Sequence, residues 1–244
     1  MHTNLRVALL VPVLSVLFLA GCGGPERIVL RGGTSHFPLL HKRVMRYQEQ
    51  HNGVTKDYTL EMLYMGGRSI RAYEARFKGI KAGLCNFISK DSVVYFETDQ
   101  PPTSTMLLTA YRQVWVDENA EYGSSWIDDD MGTETVIAGF ETVSVPAGTF
   151  ADCYKTVVTP LPGLADSLQA RLQRDDITKD EFQRQLPNVN TVVVHWFAKD
   201  VGLVKEQIGS SDFVRELVEI VSPGTGLAEL PITQTQQPIE VETQ

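Results

Sequence analysis

Apolar and polar residues alternate with period two along much of this chain, so one side chain turns inward and the next outward. Tyr58, Leu60, Met62 and Tyr64 alternate with Thr59, Glu61 and Leu63, and Gly66-Gly67 then makes a turn. Short strands are predicted over 70–77, 84–89 and 93–98, with Lys90-Asp91 at a hairpin between the last two. Further strands are predicted over 133–145, 152–159, 189–197, 203–208 and 213–221. This spacing predicts a mainly β fold: a single curved antiparallel sheet or half-barrel. No βαβ alternation appears, which argues against a Rossmann-type sheet.

Residues 164–186 break the pattern. Apolar residues at Leu164, Leu168 and Leu172 have helix spacing, with good helix formers between them. Thr178 and Glu181 have the T-x-x-E spacing of a capping box, and Pro187 ends the segment. A short helical insertion between two strands is expected, as a lid over the sheet or a surface excursion.

Val7 to Ala20 is an apolar run interrupted by Pro12 and preceded by Arg6. As a helix its 14 residues would span about 21 Å, short of a bilayer core of about 30 Å. It reads as a signal-peptide apolar region over residues 1–21, not as a transmembrane helix. Residues 22–34 read as a tether, 35–221 as one antiparallel β domain and 222–244 as a disordered tail. That tail is rich in Pro, Thr and Gln, with three Glu and no Lys or Arg.

The net charge of −8 and pI of about 5.2 argue against a nucleic-acid partner. Charge is unevenly spread: residues 35–90 carry a net +6 and residues 91–134 a net −9. Pairing between neighbouring strands of opposite sign is the preferred reading. A basic face toward anionic headgroups is the alternative. Asp117, Glu118, Glu121, Asp128, Asp129, Asp130 and Glu134 form an acidic stretch that lacks the spacing of a calcium loop and reads as a solvated loop, with no metal assigned.

Leu19-Ala20-Gly21-Cys22, directly after the apolar run, resembles the lipobox of bacterial lipoproteins. The resemblance implies that Leu19, Ala20 and Gly21 are read by the signal peptidase and that Cys22 becomes the lipidated N-terminus. Two or more acyl chains, palmitate among them, would anchor it stably, since each buried CH₂ contributes about 0.8 kcal/mol. Gly23 after the Cys, in lipoproteins similar to those of enteric bacteria, implies outer-membrane sorting, with the domain facing the periplasm.

A second resemblance lies within the β domain. Phe140–Tyr154 reads FETVSVPAGTFADCY, and Trp196 begins WFAKDVGLVK. Together with His36-Phe37-Pro38-Leu39 before the first strand, these motifs resemble TapB-like and related uncharacterised periplasmic β-domain proteins. The resemblance implies an open, strongly curved sheet and no known chemistry. Pro146, Ala147 and Gly148 suit a tight turn, Phe150 would cover it, and Gly202 would permit a turn or bulge.

Candidate chemistry is sparse. Cys85 and Cys153 are either a disulfide, closing a loop for roughly 4 kcal/mol, or two buried free thiols. His36, His41, His51 and His195 show no metal-ligand spacing, and no G-x-S-x-G elbow occurs. The expectation is a lipid-anchored envelope protein without cofactor or catalysis, binding an apolar ligand or an envelope partner, or serving as a scaffold. A carrier of lipid or acylated protein is the alternative, and a hydrolase the weakest reading.

Overall fold

The structure, a computed structural model, describes residues 27–29, 31–67, 69–79, 85–98, 113–128, 132–209, 213–225 and 227–229. The signal segment, Leu19, Ala20, Gly21 and Cys22 lie outside the described residues.

Three short strands open the described chain: β1 (Arg27–Val29), β2 (Arg31–Gly33) and β3 (Pro38–Leu40). The main sheet takes β4 (Arg43–His51), β5 (Val54–Gly66), β6 (Arg71–Lys78), β7 (Cys85–Lys90), β8 (Val93–Thr98) and β9 (Gln113–Asp117). It continues with β10 (Ser125–Asp128), β11 (Thr133–Val145), β12 (Gly148–Pro160), β13 (Val193–Ala198), β14 (Gly202–Ile208) and β15 (Phe213–Ser222). A last short strand is β16 (Leu227–Glu229). Between β12 and β13 lie α1 (Leu164–Gln173), α2 (Lys179–Gln185) and a 3₁₀ turn, Leu186–Asn190.

The mainly β expectation holds. The twelve strands β4–β15 form one antiparallel sheet ordered β10-β11-β12-β13-β14-β15-β4-β5-β6-β7-β8-β9. Apart from β15 against β4, each strand pairs with its sequence neighbour, so the chain begins in the middle of the sheet and returns to close on its own start. The sheet edges β9 and β10 meet side by side, where the Trp126 indole N–H donates to the Val114 carbonyl at 3.2 Å. The result is nearly a closed barrel, further closed than a half-barrel.

Tight hairpins set the register. Asp91 and Ser92, both at positive φ, form a two-residue loop between paired Lys90 and Val93. Pro146-Ala147 likewise joins paired Val145 and Gly148. The β11–β12 hairpin is bent by register shifts at Ile137/Gly139 and Glu141/Val143. Its tip reaches β15, where the Ala147 N–H donates to the Leu217 carbonyl at 3.0 Å. The β14–β15 ladder stops at Lys205↔Glu216, just before that carbonyl. Nearby, the buried Tyr47 hydroxyl donates to the Leu203 carbonyl at 2.9 Å. The V-P-A-G-T-F motif is thus a docking turn, with Ala147 and Phe150 packed on the core.

The β2–β3 hairpin enters the barrel. Its connection places Phe37 with ring centroids 5.0 Å from Phe87, 6.3 Å from Trp115 and 5.7 Å from Phe197, on three strands from both halves of the sheet. The Gly33 N–H donates to Ser89 Oγ at 2.7 Å, and the Asp200 N–H to the Ser35 carbonyl at 2.7 Å. Gly33 must be glycine, because it has φ +80° and a Cβ there would collide with the Phe37 carbonyl oxygen, while a Cβ on Gly32 would press on the Tyr73 hydroxyl at 2.8 Å. Gly202 has φ +104° in the turn after β13, beside the Phe37 ring.

Four expectations need correction. The tether and tail are not wholly irregular, because Arg27–Val29 pairs antiparallel with Leu227–Glu229 and His41 bridges Thr225. The acidic stretch is not one solvated loop: it contributes to β9 and β10, and Asp128 is buried. The helices are not a lid on the main core. Leu164, Leu168 and Ile177 are buried in a separate cluster with Leu172, Phe182 and Val189. The capping box is present, with the Glu181 N–H on Thr178 and the Thr178 N–H on Glu181. Finally, Cys85 and Cys153 are buried free thiols, so the disulfide alternative falls. They sit on β7 and β12, strands far apart in the sheet order.

Phe37→Ala should lower stability by about 3–5 kcal/mol, the usual cost of emptying a buried aromatic site. Urea unfolding checks this, and a loss below about 1 kcal/mol would mean that the barrel does not depend on the inserted ring.

Candidate functional site

Three side-chain constellations stand out, and the sheet register builds the first. Thr156 pairs with His195, His195 with Glu206, Glu206 with Arg215, and Arg215 with Glu49, on five adjacent strands from β12 to β4. Residues directly opposite each other share a face, so these polar groups form one transverse row. Arg215 donates to Glu206 Oε2 at 2.9 Å and to Glu49 Oε2 at 3.3 Å. Its guanidinium lies 5.5 Å from the Tyr58 ring centroid and 5.6 Å from that of Phe213. His195 Nε2 is 3.9 Å from Glu206 Oε2, and the Trp115 ring covers the imidazole at 4.6 Å. Burial pushes the His195 pKa below its ordinary 6.5, against the opposing pull of Glu206. The row thus sets one guanidinium between two carboxylates, with a neutral imidazole at its end.

The second constellation joins the inserted hairpin to the β9–β10 connection. Glu118 Oε1 accepts from Ser35 Oγ at 2.5 Å, from the His36 backbone N–H at 2.7 Å and from His36 Nδ1 at 3.0 Å. Burial pushes the Glu118 carboxyl up, but these hydrogen bonds outweigh it and hold the pKa below its ordinary value. A serine, a histidine and an acid therefore meet, as a hydrolase would require. Their arrangement is wrong for a relay. In a relay, one imidazole nitrogen faces the serine and the other the acid. Here the Ser35 hydroxyl donates its hydrogen bond directly to the carboxylate, and His36 turns the same nitrogen, Nδ1, toward that oxygen and toward Ser35. Glu118 works as a clasp on the 35–36 turn. Beside it Phe140 and Tyr122 are exposed, at 54% and 73%, with Phe140 in ring contact with His36 and Tyr154.

The third lies on the outer face. Trp196 pairs in register with Lys155 on one side and Lys205 on the other. Their ammonium groups stand 5.2 and 6.0 Å from its ring centroid, while its indole N–H donates to Glu141. Lys155 also binds Glu141, and Lys205 binds Glu216 at 2.9 Å. The W-F-A-K-D-V-G-L-V-K motif thus supplies an outward cation–π ladder and, at Phe197, an inward core ring.

The expected charge pairing between 35–90 and 91–134 is largely not what the sheet uses. Arg46 binds Glu219, Lys78 binds Glu61 and Arg76 binds Glu74. The reason is topological: β4–β7 neighbour one another and β15, whereas the acidic stretch lies at the β9–β10 edge. The motif residues Pro146, Ala147, Gly148, Phe150 and Gly202 sit at turns around one barrel end, not in any of these constellations. Sequence reading missed the Glu49–Arg215–Glu206–His195 row. Its signal was an acid or base at inward positions of otherwise apolar strands.

No family model matches the chain, and no curated protein matches it. Among solved structures it is similar to a crystal structure of a candidate lipoprotein from Parabacteroides distasonis, at 11% identity and a TM-score of 0.40, over 77% of this chain and 98% of that one.

Arg215→Met should destabilise by about 3–5 kcal/mol by stranding Glu206, and adding Glu206→Gln should restore much of the loss. Urea unfolding of the single and double variants reads this, and strictly additive losses would deny the coupling. A pH series probes the histidine. The unfolded chain takes up a proton on His195 near pH 6.5 that the folded chain resists. Stability is therefore full above 6.5 and is lost as pH falls below it, toward the depressed folded value. His195→Gln should flatten that decline, leaving the part due to His41, whose pKa burial also lowers. An unchanged slope would show that His195 is not buried as the neutral form.

Proposed function

We propose that this chain is a bacterial cell-envelope lipoprotein, anchored through lipidated Cys22 and facing the periplasm, most consistent with outer-membrane sorting. Its barrel is a non-catalytic binding or scaffold module. The observation that carries the non-carrier reading is the insertion of Phe37 between Phe87, Trp115 and Phe197. The centre of the barrel, where a carrier would hold acyl chains, is occupied by the protein's own rings. The clasp geometry at Glu118 speaks against the hydrolase reading. The lipobox residues Leu19, Ala20, Gly21 and Cys22 support the anchor, and Gly23 supports the sorting. The exposed Phe140 and Tyr122 are where a binding role would start.

Cell fractionation of wild type and Cys22→Ala tests the anchor. The wild type should sediment with membranes and the variant should stay soluble, whereas a variant that stays in the membrane fraction removes the lipid-anchor reading. Native mass spectrometry of residues 23–244, secreted to the periplasm, tests the module. A bare chain mass is expected, and added mass in the phospholipid or fatty-acid range would restore the carrier.

A further inference from the structure

The strand directions give the barrel two unlike ends. β4, β6, β8, β10, β12 and β14 begin at one end, and β5, β7, β9, β11, β13 and β15 finish there. That end carries the inserted 31–40 segment, the Lys42 turn, Met65–Gly67, the Asp91-Ser92 loop and the Lys199–Val201 turn. It also holds the His41–Thr225 bridge. The opposite end carries the Asn52-Gly53 turn and the whole α1–α2 insertion. Nine-residue β4, at about 3.3 Å per residue and tilted as barrel strands are, separates the two ends by roughly 20–25 Å.

Cys22 and Arg27 are five residues apart, a reach of at most about 18 Å. From Arg27 the chain is tied down at once. It pairs with Glu229, and two residues beyond Val29 it joins β2, whose Gly33 is held by Ser89. The stretch between Cys22 and the first paired strand is thus short, and the described chain begins at a fixed place.

We infer that the inserted-hairpin end of the barrel faces the lipid surface, and that the α1–α2 insertion is held at the membrane-distal end. This rests on the Cys22 anchor proposed above. Lys42 and Lys199 are exposed there without an ion pair among the described residues, Asp91 and Asp200 are exposed at the same end in ion pairs with Lys90 and Arg31, and Met65, near the end of β5, is 47% exposed. Cations for headgroups and an apolar side chain for the interface are what a lipid surface accepts. At the far end Leu186 is exposed to a similar degree, 43%, which makes it a matched control.

The experiment uses the full lipidated chain in vesicles of phosphatidylethanolamine and phosphatidylglycerol containing a headgroup-spin-labelled lipid. A fluorophore is placed on Met65→Cys or on Leu186→Cys, with the unsubstituted chain as the labelling control for buried Cys85 and Cys153. The Met65→Cys probe should lose fluorescence to the headgroup spins, and the Leu186→Cys probe should keep it. Equal quenching at both sites, stronger quenching at Leu186→Cys, or none at either overturns the orientation. Flotation of the unlabelled chain is read first. If it does not float, the anchor and the orientation fall together, whereas floating vesicles with the wrong quenching pattern remove the orientation alone.

Discussion

A twelve-stranded sheet that nearly closes encloses more space than its walls can fill. About eight strands is the width at which inward side chains alone meet across a barrel. With twelve, the centre needs other matter: ligand, water or another piece of chain. Here the chain supplies it, by sending 31–40 inside before the first wall strand begins. Phe37 touches rings from β7, β9 and β13, so one side chain adds to the direct contacts that Trp115 makes with His195 and Phe197. The glycine at position 32, the serine at 89 and the turn at 199–201 all follow from where that segment must pass.

The polar row is a second answer to the same geometry. Away from Phe37 the inner wall carries Glu206, Arg215, Glu49 and His195 instead of more apolar bulk. A buried charge pair seldom stabilises more than a packed apolar pair would, and its best-attested use is to fix register. A one-residue slip of β14 against β15 would move Glu206 away from Arg215 and turn every β14 side chain to the wrong face. These two strands diverge after Lys205↔Glu216, which leaves their ladder short and gives such a lock something to do.

Much of the wall was legible because wall strands alternate: β8 and β11 have the predicted ends, and the capping box marks α2. Asn52-Gly53, a strong hairpin signal between β4 and β5, was present but carried no prediction, because β4 itself is hidden by inward Arg43 among its apolar positions. Arg43 finds its partners only in three dimensions, in the carbonyls of Pro38 and Asp200. The edge strands β9 and β10 were masked by acidic residues that suit an exposed edge as well as they suit a loop. The inserted hairpin had no periodic signature at all, since Phe37 is a core residue on a connection. The Ser35–His36–Glu118 clasp spans 83 positions and could not be read from spacing.

That the inserted segment comes early in the chain, just after β1, has a mechanical consequence. Because the wall strands start in the middle of the sheet, the chain can enter the barrel from its own beginning without crossing a ladder. Any pull on the chain ahead of Arg27 then bears first on β1, whose antiparallel partner β16 follows β15, and next on β2. Strand pairs loaded along their length resist as several hydrogen bonds together, not one after another. The first paired strand, the filling and the start of the wall are therefore one continuous stretch, and substitutions there will act on folding more than substitutions elsewhere on the wall.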